Sequence, residues 1–157
     1  MHSAMTRRHA RTTTIAIAIA AITLIASCSG PCGLLPGGQL GGETKPVPGD
    51  WRFAGDYGTM QLETHPEDPY SVNIAYTFVG GVFYINAGDT ETQWVKHITA
   101  NPDVKARLDG ALYEMRAMRV TDDAEIARFG EAWTDQSFFR RDPAELEQVW
   151  MYRLVAR

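Results

Sequence analysis

Cysteine is scarce in this chain: 157 residues contain two, Cys28 and Cys32. A disulfide-rich scaffold is therefore excluded. Histidine is scarce too, with four in all, and only His65 and His97 lie beyond residue 27. Neither has a second His or Cys nearby, whereas a metal centre needs three or four converging ligands. His65 reads as a solvated surface side chain. No Gly-x-Ser-x-Gly elbow, phosphate-binding Walker loop or dinucleotide glycine fingerprint is present. Acid pairs such as Asp122-Asp123 fit helix caps better than a glycosidase pair, which must converge across a cleft. The overall composition, 45% apolar, 10% aromatic and 22% charged, excludes intrinsic disorder and a collagen-like repeat.

Long apolar runs are limited to one, Ile15 to Ala26, which falls short of the roughly 20 residues that span a bilayer. Arg7, Arg8 and Arg11 precede it, and it ends in Leu24-Ile25-Ala26-Ser27-Cys28. Small residues before a cut and a Cys after it resemble the bacterial lipobox. The resemblance implies that residues 1–27 are a removable signal, that the Cys28 thiol carries diacylglycerol, and that the lipid bilayer is a partner. Acyl chains contribute about 0.8 kcal/mol per buried CH₂, so two or three of them anchor a domain stably. The location implied is the cell envelope; Ser29, rather than Asp, after the Cys resembles the outer-membrane signal of a two-membrane cell, with the protein facing the periplasm. Arg7-Arg8 also resembles a twin-arginine export signal, although Ala10 and Arg11 depart from the apolar pair that normally follows. Once the signal is removed, 12 basic residues face 19 acidic ones, a formal charge of −7. No broad electrostatic footprint for nucleic acid remains.

Residues 28–50 are rich in Gly and Pro and read as a tether that lifts the domain off the lipid, with Cys32 a free thiol within it. The folded domain is expected over 51–157. Met60 to Glu63 alternates apolar and polar, and Val72, Ile74, Tyr76 and Phe78 extend that pattern along a second strand. Gly80-Gly81 predicts a two-residue hairpin into Val82–Ile85. Thr90 and Gln93 then resemble a capping box opening a helix with Trp94 and Ile98 on one face, stopped by Pro102. Val104, Ala106 and Leu108 predict a strand, Asp109-Gly110 a turn, and Ala111–Val120 a strand with Tyr113, Met115 and Ala117 on one side. Asp122 with Glu125 predicts a second capped helix carrying Ile126, Phe129 and Trp133, and Asp142-Pro143 a third, short one. Val149–Val155 closes as a strand. Trp94, Trp133, Trp150 and Tyr152 read as core, and Arg140-Arg141 as a solvated turn. About six strands and three short helices make a mainly β, α+β chain, favouring a small barrel or sheet.

The segment from Trp94 through Asn101-Pro102-Asp103-Val104 resembles the signature of the flavin-binding split β-barrels, which include the pyridoxamine phosphate oxidase-like proteins and the deazaflavin-dependent nitroreductases. Gly110 and Tyr113 extend the match, and Tyr152-Arg153-Leu154-Val155 resembles the family's last strand, so the likeness spans about Thr59 to Arg157. Trp94 stands where the deazaflavin branch has Trp. The resemblance implies a six-stranded split barrel, a homodimer, and FMN or a deazaflavin coenzyme whose phosphate meets the loop from Asn86 to Gln93. Gly88, Thr90, Thr92, Gln93, Trp94 and Lys96 are the implied cofactor contacts. Helix-start amides and hydroxyls suit an anion.

Two functions follow. One is an envelope-anchored oxidoreductase acting on a small molecule, in which no side chain is catalytic and the cofactor does the chemistry. The other is a barrel that has lost its cofactor and serves as a binding or structural module, a reading favoured by Asp89 and Glu91 in the loop.

Overall fold

The computed structural model describes residues 30–138, 140–145 and 150–157. The expected signal, Cys28 with its expected lipid, Ser29 and Val149 lie outside them. Among the described residues seven strands and two α-helices follow in order: β1 (Glu43–Thr44), β2 (Tyr57–Thr64), β3 (Tyr70–Val79), β4 (Val82–Ala87), α1 (Gln93–Ala100), β5 (Asp103–Leu108), β6 (Ala111–Arg119), α2 (Asp123–Thr134) and β7 (Trp150–Ala156). Six of the strands, in the order β6-β5-β2-β3-β4-β7, close back onto β6 through antiparallel pairs only. The fold is a small six-stranded split barrel of the α+β class.

Period-two alternation explains the inside of the barrel. Met60 and Leu62, Ile74 and Tyr76, Phe83 and Ile85, Val104 and Ala106, Tyr113 and Met115, and Tyr152 and Leu154 all point into one buried cluster. α1 adds Trp94, Val95 and Ile98 to it. Trp51 enters from the amino-terminal side, its ring 4.8 Å from those of both Phe83 and Tyr113. A second, smaller core lies outside the barrel, where α2 lays Phe129 and the half-buried Ile126 and Trp133 against Tyr84 and Met151. Both cores follow from the same strands: β4 and β7 send alternate residues to opposite faces.

The local turns match expectation. Val79 pairs with Val82 across Gly80 (φ 60°) and Gly81 (φ 83°), and Leu108 pairs with Ala111 across Asp109 (φ 49°) and Gly110. Positive φ at both central positions gives the hairpin twist that strands need. Three helical details differ. α1 starts at Gln93 with Thr92 as its cap residue, two positions later than the Thr90–Gln93 box implies. The Asp89 carboxylate accepts from the Glu91 amide at 2.8 Å, and this turn occupies the residues expected to begin the helix. Asp122 does cap α2, accepting from the Glu125 amide at 2.8 Å, but the Glu125 side chain turns away from the box to other partners. The third helix is one 3₁₀ turn, Pro143–Glu145.

Residues 30–50, expected as a tether, run as a strap over the outer face of the barrel. Gly37 and Ser71 exchange amide bonds at 2.8 Å, placing the strap on the free edge of β3. The Leu40 amide donates to the Glu63 carboxylate on β2, Arg107 on β5 donates to the Gly41 carbonyl, and β1 pairs in parallel with Ala111 and Leu112 of β6. That stretch of the β6 edge is not covered by β7, which pairs at Met115–Arg119; β1 satisfies it. Leu40 is buried, and Gly37 is pressed against the backbone of Gly30 and Pro31 so closely that a Cβ there meets Gly30 at 2.2 Å. Gly37→Ala is expected to lift the strap. Hydrogen exchange at Gly37 and Ser71 amides rises at least tenfold, about 1.4 kcal/mol of local opening, while β5–β6 amides keep their protection. Unchanged exchange at Ser71 means that the contact yields without cost.

Candidate functional site

The loop after β4 and the start of α1 bring most of the sequence-derived residues together. Gly88 and Asp89 are exposed and Thr90 and Thr92 half-buried. Thr92 Oγ1 donates to the Asp89 carbonyl at 3.2 Å. Among the described residues no side chain caps the amino end of α1, in contrast to Asp122 on α2. The first amides of α1, at Gln93, Trp94 and Val95, thus lack an intrahelical acceptor and a side-chain one, the arrangement that receives anions. Lys96 Nζ sits 3.1 Å from Glu91 Oε2 at the surface, so these two charges offset each other. Asp89 has one carboxylate oxygen on the Glu91 amide. The two acids of the loop are both engaged.

Two of the expected contacts are tied up elsewhere. Trp94 is 8% exposed and packs edge-on against Tyr152 at 6.0 Å, facing the barrel core. Gln93 Nε2 lies 2.9 Å from His97 Nε2, one turn on. His97 Nδ1 lies 3.0 Å from Thr64 Oγ1, which donates to the Tyr70 carbonyl at 3.2 Å. A Gln amide N–H donates to an unprotonated ring nitrogen, and a hydroxyl that already donates accepts, so this chain of bonds suits a neutral His97 with its proton on Nδ1. Burial and then the neighbouring His65 hold its pKa below the ordinary imidazole range, against the opposing charge of Asp68. His65, expected to be solvated, stacks on His97 at 4.8 Å, and its Nδ1–H donates to the Asp68 carbonyl at 2.8 Å. His97 joins β2 to α1; it is a structural linchpin of the loop.

Sequence reasoning missed a second constellation, between α2 and the outer face of β4, β6 and β7. Tyr84 Oη donates to Glu125 Oε1 at 2.8 Å and Arg153 Nη1 donates to Glu125 Oε2 at 2.8 Å. Glu125 is 8% exposed. The pairing of Tyr84 with Arg153 across β4 and β7 was within reach of strand alternation, which sends both outward. Glu125 gave no such signal, because its spacing from Asp122 matches a cap. A cavity of about 520 Å³ lies over this group, with Arg128, Met118 and Val155 also in its wall. A second, of about 430 Å³, is lined by Asp56, Tyr57, Phe78, Asp135 and Gln136 among others. Neither contains a residue of 88–96. Arg140, expected in a solvated turn, places its guanidinium 3.7 Å over the Trp133 ring. Among the described residues no group of three or more His, Cys, Asp or Glu side chains is arranged to hold a metal, and no helix is long and apolar enough to cross a membrane.

Fold and loop together define a split barrel with an uncapped helix start beside its fourth strand. The same fold occurs in a conserved hypothetical protein of Mycobacterium tuberculosis, at 20% identity over 63% of this chain and 72% of that one, with a TM-score of 0.50. Further similar structures are a FAD-binding protein of Mesorhizobium loti (15% identity, 63% of this chain and 78% of that one, TM-score 0.47) and an F420 reductase (19% identity, 69% and 94%, TM-score 0.47). The first of these likenesses concerns the fold alone. No family model and no curated protein matches the sequence.

Proposed function

We propose that this chain is an envelope-anchored lipoprotein, held by diacylglycerol on Cys28, whose split barrel binds FMN or a deazaflavin coenzyme as a homodimer and passes hydride or electrons to a small molecule. In a two-membrane cell it faces the periplasm from the outer membrane. The observation that carries the reading is the uncapped start of α1 beside two threonine hydroxyls. Amides of Gln93 and the residues after it, with Thr90, the backbone at Gly88, and Thr92 once its hydroxyl turns from the Asp89 carbonyl, fit the phosphate end of such a cofactor. Lys96 becomes a further contact when it leaves Glu91; Trp94 contributes from beneath, by holding α1 against the core. The isoalloxazine-type ring supplies the redox chemistry when bound, and this chain's part is to bind and orient it.

An absorbance titration of the purified mature chain with FMN and with deazaflavin coenzyme tests this. Saturable micromolar uptake of one of them is expected, and Thr92→Asp weakens it about tenfold, since a carboxylate at a helix start repels an anion by roughly 1.4 kcal/mol. Uptake that ignores Thr92→Asp moves the cofactor away from this loop. The alternative, a binding or structural lipoprotein that has lost its cofactor, draws on the inward-facing Trp94 and on Asp89 and Glu91. A chain that takes up neither compound supports that second reading.

A further inference from the structure

We infer that the strap presents a membrane-seating finger, Leu34-Leu35, so that the barrel sits directly on the bilayer and is not lifted away from it. The inference rests on the proposed acylation of Cys28 and adds an orientation to it. Cys32 and Leu35 exchange backbone bonds at 3.0 and 2.9 Å, and the chain turns over Gly33 (φ 58°) and Leu34 between them. At the tip of this turn Leu34 is fully exposed and Leu35 is 70% exposed. Two adjacent exposed leucines at a tight turn have no packing role within the described chain.

Three observations point to lipid as the occupant. The first is chain length. Only Ser29 separates Cys28 from Gly30, where the strap already packs against Leu40 and Gln61. Five residues lie between Cys28 and Leu34, at most about 21 Å when fully extended, so acyl chains inserted at Cys28 keep the finger close to the headgroups. The second is rigidity. Asn73 Nδ2 donates to the Gly33 carbonyl at 2.9 Å, Ser71 Oγ donates to the Gly38 carbonyl at 2.7 Å, and Gly37 is bonded to Ser71 both ways. The finger is thereby pinned to β3, and whatever orients the finger orients the barrel. The third is charge. From Ser29 to Gly42 the sequence contains no Asp, Glu, Lys or Arg, although the chain as a whole is acidic. Anionic headgroups that repel the rest of the surface have nothing to repel here.

The test is spin-label depth measurement on the acylated full chain in phosphatidylethanolamine–phosphatidylglycerol vesicles. Cys32→Ser with Leu34→Cys puts one nitroxide at the tip, since a Cys28 thioether takes no label. Ala127→Cys, on the exposed side of α2, is the control in the same Cys32→Ser background. Flotation with the vesicles and a single label per chain verify the anchor independently. The expected result is loss of collision with a water-soluble nickel complex at position 34, with a gain in collision with oxygen, and neither change at position 127. Chains that float yet show equal nickel access at the two positions overturn the seating while leaving the anchor intact. Nickel protection at 34 that persists after release from vesicles into detergent-free buffer also overturns it, assigning the finger to a second copy of the chain. Chains that do not float and carry two labels overturn the acylation on which it rests.

Discussion

Lys105→Ala is expected to lower unfolding free energy by about 3 kcal/mol, the lower end of the range for stripping a buried carboxylate of its partner. Glu63 is 2% exposed, its Oε1 bonded to Lys105 Nζ at 2.9 Å and its Oε2 accepting from the Leu40 amide at 2.5 Å. β2 and β5 set Glu63 directly opposite Lys105, and the strap closes over the pair. Without Lys105 the carboxylate keeps one amide and little solvent. Lys105 itself is 31% exposed, and the water that reaches its side limits the loss. In a domain of this size the change lowers Tm by roughly 10 °C. Glu63→Leu combined with Lys105→Met removes both charges and is expected to cost less than the single lysine change. It leaves only the Leu40 amide without an acceptor, about 1–3 kcal/mol. Urea unfolding measures both. A single-variant loss below about 1 kcal/mol means that water reaches Glu63 beneath the strap.

Glu125→Ala is the second large effect, about 2 kcal/mol, because it leaves the buried Tyr84 hydroxyl without its acceptor, while Arg153, 37% exposed, turns to solvent. Glu125→Gln keeps the shape and one acceptor, and is expected to lose about half as much. The same group sets a pH limit. Burial first, then the hydrogen bond to Glu125, push the Tyr84 phenol up to about 12. The native state therefore holds this proton more tightly than the unfolded chain, whose tyrosines titrate near 10. Tyr84's contribution is complete below about pH 10 and is lost as pH climbs from about 10 to about 12. Tyr84→Phe should flatten that decline, read as the difference between the two unfolding profiles across the interval. Equal slopes place the alkaline loss on other groups. Since burial is the larger cause, Glu125→Gln should reduce the shift without abolishing it.

These two clusters had different visibility beforehand. Tyr84 and Arg153 face outward by strand alternation, a period the sequence displays. Their convergence on Glu125 depends on α2 folding back across β4 and β7, and an acid three residues after Asp122 carries no mark of that destination. Glu63 reads as the polar member of an alternating strand. Its burial is decided by Leu40, 23 residues earlier. The same holds for the loop after β4: the helix and its Pro102 stop are local and were legible, whereas its start shifted because the Asp89 side chain took the Glu91 amide. His97 stands in the sequence as an isolated histidine; only the approach of Thr64 on β2 ties it down.

By itself the sequence determined the barrel strands, the Gly80-Gly81 and Asp109-Gly110 turns, and the inward faces of the barrel, because these depend on short-range periodicity and on backbone angles that few residues adopt. The tertiary structure alone decided the path of residues 30–50. Glycine and proline contribute no hydrophobic period, and the strap is held chiefly by main-chain groups bonding to the free edges of β3 and β6 and to one buried carboxylate, edges that exist only once the barrel has closed.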